Sequence, residues 1–240
     1  AVEGGMQVEI WSDVVCPWCA IGKRRFESAL ARFPHRDEVT VRWRSFELDP
    51  TAPQQREGTL VEHLAGKYGT SVEKAREMIG GMTATAAEEG WEFHLEDARG
   101  GNTVDAHRLI HLAHDRGIQD AVKERLVSAY VSEREDIGDH DTLARLAAEA
   151  GLDEAEAREV LGSDRYLDAV RADEQQARAY GINGVPFFVV DATYGVSGAQ
   201  PADQLLQVLQ TAWAESHPLQ VLTPARSADG ATCTDGSCAV

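Results

Sequence analysis

The chain has 240 residues, 43% of them hydrophobic and 26% charged, with a formal net charge of −17 at neutral pH. That length supports one large domain or two small ones with a real core. A surface this acidic repels phosphate backbones, so nucleic acid is excluded as a partner, and no run of about 18 apolar residues is present to span a membrane.

Ala1–Gly5 read as an extension ahead of a natural start at Met6. The segment after Met6 is strand-like and is neither basic nor continuously apolar, so a cytoplasmic chain is expected. The four cysteines fall into two close pairs, Cys16 with Cys19 and Cys233 with Cys238. Four is too few to staple a chain of this size. In a reducing compartment such pairs read as redox-active or metal-binding.

In chain order, residues 7–13 alternate and then turn apolar (Val8, Ile10, Trp11), the pattern of a buried strand. Residues 17–33 form a helix with an apolar stripe of Ile21, Phe26, Ala29, Leu30 and Phe33, and Pro17 suits its first position. Residues 39–48 are a second strand, with Val39, Val41, Trp43 and Ser45 on one face, ended by Asp49-Pro50.

From Thr59 to about Tyr180 the period becomes helical, with roughly six helices. Thr70 and Glu73 have the spacing of a capping box, and Asp153 and Ser163 are placed as further N-caps. Leu143, Leu146, Ala147 and Ala150 make one stripe that Gly151 stops. Residues 91–95 could be a short extended piece. A strand returns at 186–190, a partner strand at 193–197 comes after a two-residue turn at Asp191-Ala192, and a helix over 201–213 closes the order. The remainder, from His217, is polar and rich in small residues.

The first two strands would therefore run parallel, through a right-handed helical crossover, and the last two would form an antiparallel hairpin. This is an α/β chain of thioredoxin-like topology. Its mixed four-stranded sheet has flanking helices, with a large all-α domain inserted between the second and third strands. The expected division is residues 6–55 with 181–218 for the thioredoxin-like part, 56–180 for the insertion, and 219–240 for a tail carrying C-x4-C.

The chemistry-bearing motif is Cys16-Pro17-Trp18-Cys19. Positions i and i+3 share a helix face, so the two sulfurs can approach bonding distance. Free N–H groups and the positive end of the helix dipole favour a thiolate at the helix start. Such motifs lower the first thiol to about 3.5–7.5. This would make Cys16 the attacking thiol and Cys19 the resolving one. Half of a zinc site, completed by Cys233 and Cys238, is the competing reading. Pro17 and Trp18 within the motif fit an open redox turn better than a closed metal knuckle. Trp18 is expected to be exposed beside the sulfurs as an apolar substrate contact.

The second signal is Gly184-Val185-Pro186 at the head of the apolar run Phe187–Val190. Weaker features carry default readings. His107, His111 and His114 share a helix face and could bind a metal, but ordinary hydrogen-bonded histidines are the default. Lys23-Arg24-Arg25 reads as a solvated helix face, with anion attraction as the alternative.

The run Trp11–Phe26, which contains the C-P-W-C motif, resembles the DsbA-like thioredoxin proteins of the FrnE type. Three further stretches fit the same group: Asn102–Leu109, Gly181–Val190, and the tail Cys233–Cys238. The resemblance covers nearly the whole chain. It implies disulfide oxidoreductase or isomerase activity on protein or small-molecule thiols and disulfides, with Cys16 as nucleophile and Cys19 as resolving thiol. It also implies that Pro186 is a cis-proline whose predecessor, Val185, offers backbone groups to substrate. On the family pattern alone, Asn102, His107 and Arg108 line the cleft, and Cys233/Cys238 form a secondary redox pair. No bound cofactor is expected, glutathione entering only as a redox co-substrate, and the chain is expected to be a monomer or homodimer.

A related branch of glutathione-linked isomerases and transferases carries Ser in place of Cys16. Retention of both cysteines here favours redox chemistry over a glutathione-dependent isomerase or transferase of a small aromatic molecule, and over a zinc-holding or chaperone-like protein. Trp18 stands where DsbA has His, so a strongly oxidising centre is not expected.

Overall fold

A computed structural model describes residues 4–219. The sheet has four strands in the order β2-β1-β3-β4: β1 (Met6–Ser12), β2 (Val39–Ser45), β3 (Phe187–Val190) and β4 (Tyr194–Ser197). β1 runs parallel to β2, with Met6 opposite Val39 and Ser12 opposite Ser45, and antiparallel to β3. β3 and β4 form the expected hairpin, with Val190 opposite Tyr194. Asp191 and Ala192 both take positive φ in its turn, and the Thr193 amide donates to the Val190 carbonyl at 3.0 Å.

β1 is central, with both edges paired, and an apolar cluster covers each of its faces. Met6, Val8 and Ile10 point into the main apolar cluster, whereas Trp11 points the other way, against Ala177, Ile182 and Val189. On the main side lies α1 (Pro17–Arg32), which buries Ile21, Phe26 and Ala29. Beside it lies the closing helix α9 (Ala202–Ser216), whose Trp213 meets Phe33 edge-on at 5.9 Å.

The helices between β2 and β3 are α2 (Leu60–Tyr68), α3 (Val72–Glu88), α4 (Val104–Asp115), α5 (Gln119–Val131), α6 (His140–Glu149), α7 (Glu154–Leu161) and α8 (Leu167–Ala179). The apolar faces of α2 to α7 join one continuous cluster with the sheet, whereas Ala177 of α8 packs with Trp11 on the other face.

β2 is an edge strand, and its open backbone is satisfied by side chains from these helices. The Gln119 side-chain amide accepts from the Trp43 N–H at 2.9 Å and donates to the Trp43 carbonyl at 3.0 Å. In this way it imitates one residue of a fifth strand. Asp173 of α8 accepts from the Ser45 N–H at 2.9 Å, while Arg44 donates to the same carboxylate at 2.8 Å.

Several local expectations are corrected. The insertion has seven helices, not six. β2 ends at Ser45 because the chain then turns so that the Leu48 N–H reaches Asp13. The capping box is Thr59 with Glu62, and α3 is capped by the neighbouring hydroxyl of Ser71 in place of Thr70. Asp153 caps α7. Ser163 caps nothing, since its hydroxyl returns to the Val160 carbonyl and α8 starts after Tyr166 at φ 68°. Trp91, Phe93 and Leu95 alternate into the core as a strand would, but this segment joins no sheet. Among the described residues, no helix is long and apolar enough to cross a membrane.

Candidate active site at the start of the first helix

β1 delivers the chain to the N-terminus of α1, and the two cysteines sit across that junction. Cys16 is the N-cap, in extended conformation (φ −122°, ψ 105°), and Pro17 comes next at the first helical position. The Cys16 sulfur accepts from the Cys19 N–H at 3.2 Å, and the Cys16 carbonyl accepts from the N–H groups of Cys19 and Ala20 at 3.1 and 3.2 Å. The thiol thus takes the place of a capping hydroxyl. Both cysteines are free thiols and are buried, Cys16 being 5% and Cys19 2% exposed. Trp18 between them is 43% exposed.

The Val185–Pro186 peptide bond is cis, and the Cys16 thiol faces the Val185 carbonyl at 3.9 Å. The Pro186 loop comes this close because residue 22 of α1 is glycine. A methyl group there would stand 2.8 Å from the Pro186 Cγ.

Below the motif the sheet ends in Asp13, a fully buried carboxylate. One of its oxygens takes the His107 Nε2–H at 3.1 Å and the Val14 N–H at 2.8 Å, and the other takes the Leu48 N–H at 2.8 Å. Burial alone would raise the Asp13 pKa. The hydrogen bond and charge of His107, with the Leu48 N–H and Thr103, outweigh it and hold the acid below its ordinary value. From α5, Lys123 and Tyr130 approach the same region. Burial lowers the Lys123 pKa against the pull of Cys19, Asp13 and Cys16, and raises that of Tyr130, with Cys16 and Asp13 adding to the rise.

The expectation of a lowered Cys16 pKa is therefore corrected. In the dithiol state it stands well above the ordinary thiol value. The shared hydrogen bond with Cys19 is the largest cause, then burial and repulsion from Cys19; the Cys19 N–H pulls the other way, and the Asp13 charge adds a further push upward. The helix terminus favours the thiolate, but two close sulfurs do not ionise together, and burial beside a carboxylate opposes the first ionisation.

Above the motif opens a cleft of about 620 Å³. One wall holds Cys16, Pro17, Trp18 and Val185. The other is formed by α2 and α3 through Leu60, Leu64, Lys67, Met78 and Met82, with Tyr68 and Leu48 at the rim. Arg56 closes one end, donating to Asp49 at 2.6 Å and to the His63 ring, Nε2 at 2.9 Å. Burial and the cations Arg56 and Lys67 lower the His63 pKa, so it is a neutral acceptor. The segment carrying Arg56 is pinned along residues 100–102. The Arg56 N–H donates to the Gly100 carbonyl at 3.0 Å, and the Asn102 N–H to the Pro53 carbonyl at 2.8 Å. The Gln54 carbonyl lies in a slot where a Cβ on either Gly101 or Gly138 would overlap it.

Cys16, Pro17, Trp18 and Val185 thus converge on one cleft. Asn102 and His107 do not join them. Asn102 fastens a loop, its amide donating to the carbonyls of Pro50 and Ala52 at 3.3 Å and accepting from the Val104 N–H at 2.9 Å. His107 is 1% exposed and turned to Asp13, beneath the cleft floor. Arg108 is likewise structural, bound to Asp105 at 2.7 Å and to the carbonyls of Val160, Ser163 and Arg165.

The three histidines of α4 do not converge. His107 goes to Asp13, and His111 to Ser45 at 3.1 Å and Asp173 at 3.0 Å. Lys23-Arg24-Arg25 is not a solvated face. Lys23 is buried among Glu27, Asp120 and Glu124, Arg24 stacks 3.9 Å above Trp91, and Arg25 pairs with Glu89 at 2.6 Å. Cys233 and Cys238 lie outside the described residues. Asp13, Lys123 and Tyr130 were not expected from the sequence. An acid closing an apolar strand three residues before the first cysteine was the available signal for Asp13; Lys123 and Tyr130, seven residues apart, share a helix face with no local mark of what it meets.

A probable DsbA oxidoreductase from Streptomyces coelicolor is 45% identical in sequence, covers 98% of this chain and 99% of its own, and superposes with a TM-score of 0.86. An uncharacterised protein of Bacillus subtilis, YwbO, is 28% identical over 200 residues, covering 82% of this chain and 92% of that protein. The cytosolic disulfide reductase DsbM from Pseudomonas aeruginosa, solved with GSH, shares the fold at 17% identity, covering 85% of this chain and 98% of its own with a TM-score of 0.59. The DSBA-like thioredoxin domain model matches residues 7–210, and with this sheet order and a dithiol at the head of α1 the chain belongs to the DSBA-like thioredoxin family, a family of thiol oxidoreductases.

Proposed function

We propose that the chain catalyses thiol–disulfide exchange on protein disulfides through Cys16 and Cys19. The Cys16 thiolate attacks one sulfur of a substrate disulfide. A mixed disulfide forms on Cys16, and the other substrate sulfur leaves as a thiolate that takes up a proton. Cys19 then loses its proton and attacks the Cys16 sulfur, releasing the second substrate thiol and leaving the two cysteines oxidised. Run backwards, the same steps oxidise a dithiol substrate. The observation that carries this reading is the position of the Cys16 sulfur, at the helix N-terminus and 3.9 Å from the Val185 carbonyl. An extended substrate paired with that backbone edge would bring its disulfide onto the sulfur. The burial of Cys16 beside Asp13 favours the reducing or isomerising direction over strong oxidation, because a poorly stabilised thiolate weakens the drive to the reduced form.

The test is insulin reduction and reactivation of scrambled ribonuclease by the wild type, Cys16→Ser and Cys19→Ser. Cys16→Ser should abolish both activities, whereas Cys19→Ser should trap mixed disulfides on Cys16. Equal activity of wild type and Cys16→Ser refutes the reading.

A second reading, in which glutathione is the co-substrate or the cleft serves a glutathione-dependent isomerase, draws on Lys67. This lysine lines the cleft, with its ammonium 5.5 Å from the Tyr68 ring and no carboxylate partner among the described residues. It could therefore meet a carboxylate of a small thiol peptide. Absence of any thermal shift with millimolar glutathione counts against it.

A further inference from the structure

Glu47 lies two residues past the end of β2 and takes part in no step of the exchange. Its side chain is fully buried, and that of Glu174 on α8 nearly so. The two carboxyl groups are in hydrogen-bond contact. Arg171, half-exposed on the same helix, uses one nitrogen for both acids. Its Nη1 donates to Oε2 of Glu47 and, at 2.8 Å, to Oε2 of Glu174. Each acid keeps one oxygen, Oε1, that is buried and has no partner among the described residues. Two full negative charges sharing one guanidinium out of water carry a large desolvation cost. A single proton held between the carboxyls removes one charge and gives both acids a hydrogen-bond partner.

Glu47 sits between two residues that shape the cleft. Phe46 packs against the Trp11 cluster, as does Val185. Leu48 stands at the cleft rim and gives its N–H to Asp13 at 2.8 Å. We propose that Glu47 and Glu174 share one proton and form a pH-sensitive latch that holds residues 46–48, and so one rim of the cleft, against α8. The latch regulates the exchange site, and it rests on the reading of this cleft as the place where substrate docks. The charged groups facing Glu47 are Glu174 and Arg171 of α8. Their neighbour Asp173 is taken up by Arg44 of β2, His111 of α4 and the Ser45 N–H. Burial, then the contact with Glu174, lifts the Glu47 pKa from 4.5 to about 7. Released from the latch, the acid returns to its ordinary value. Opening therefore becomes easier as pH rises from about 4.5 to about 7, and no easier above that.

The experiment is hydrogen exchange of the Leu48 amide in the full chain, read without substrate as a protection factor at each pH. In the wild type the factor should fall about tenfold or more from about pH 5 to about pH 7 and then level off. In Glu47→Gln, whose amide keeps a donor towards Glu174 at every pH, it should stay constant. Glu174→Gln should do the same, and covers the case in which Glu47→Gln does not fold. The amides of Val8 and Ile10 in β1 set the global limit. Above about pH 7 the wild-type Leu48 amide should exchange at least about tenfold faster than they do. A rim that is free in about half of the molecules doubles KM. With a disulfide-bonded peptide as substrate, KM of wild type and Glu47→Gln should be equal at about pH 5, and the wild type about twofold higher at about pH 8. Thiol ionisation cancels in that ratio. The latch is overturned by a Leu48 protection factor that does not change with pH, that falls equally in Glu47→Gln, or that matches β1 throughout. A KM ratio of one at the higher pH overturns it as well. Leu48 exchange needs no turnover, so failure of the latch is distinguishable from failure of the exchange reading, which Cys16→Ser decides.

Discussion

Gly22 is where the geometry of the active centre is most exposed to a single methyl group. In Gly22→Ala the new carbon would lie 2.8 Å from the Pro186 Cγ, 3.4 Å from its Cβ and 3.5 Å from the Ala199 Cβ. Carbon atoms settle at about 3.5–4.0 Å, so the Pro186 ring must retreat by about 0.7 Å or α1 must shift. Overpacking of this kind costs about 1–3 kcal/mol. Alanine in a helix interior regains about 1 kcal/mol over glycine. The net expectation is a loss of about 1 kcal/mol, read as a lower urea midpoint at unchanged slope.

The effect on exchange should be larger than the effect on stability. Pro186 comes directly after Val185, whose carbonyl faces the Cys16 sulfur, and misplacing a docking edge by under 1 Å can cost on the order of tenfold or more in rate. Insulin reduction should therefore fall about tenfold, whereas iodoacetamide, which needs no docking edge, should react at Cys16 within about twofold of wild type. A variant about 1 kcal/mol more stable than wild type with full insulin reduction would refute the argument, because it would mean that α1 and the Pro186 loop are not in tight contact.

Two further outcomes concern the frame around the site. Glu47 is buried against Glu174 and Arg171, and burial, then its hydrogen bond with Glu174, lifts its pKa from 4.5 to about 7. The folded state therefore holds a proton that the unfolded state gives up earlier. This contribution is fully present below about pH 4.5 and is lost as pH rises to about 7, by at most about 3 kcal/mol. Glu47→Gln should flatten that part of the pH profile of urea midpoints; an unchanged slope between pH 5 and 7 would contradict the shared proton. Asp173→Ala removes the acceptor of the Ser45 N–H, His111 and Arg44 at once, and should cost about 3–5 kcal/mol as an uncoupled buried partner. A urea midpoint within experimental error of wild type would show that α8 is not what closes the β2 edge.

The features legible in the sequence were the local ones. The alternation of Val8 and Ile10, Pro17 at a first helical position and the stripe from Ile21 to Phe33 report on β1 and α1 within a few residues of themselves. The parallel pairing of the first two strands came from those units and the handedness of crossovers. The meeting of Val185 with Cys16 and Trp18 on one cleft was legible through the family resemblance and not through the strand pattern. Partners distant along the chain were not legible. The Asp13–His107 contact joins residues 94 apart, and a recurring Asn102–Leu109 pattern does not tell which way the helix turns. His107 was therefore expected at the cleft wall and lies under its floor. Adjacent hydroxyls at Thr70 and Ser71 compete for one cap, and spacing alone chose the wrong one. The burial of Lys23 was hidden for a similar reason. Three consecutive bases look like a solvated face until Asp120 and Glu124 arrive from α5.

The slot that Gly101 and Gly138 make around the Gln54 carbonyl has a consequence for how this cleft can change. The rim carrying Arg56 is cast against two surfaces that contribute no side chain of their own. Substitutions on the rim itself therefore alter its chemistry while its path stays fixed. A single added carbon at position 101 or 138, remote from the rim in sequence, would push the whole segment, and Arg56 with it, across the mouth of the cleft. Positions that offer no side chain to a substrate would thus redraw the shape presented to it.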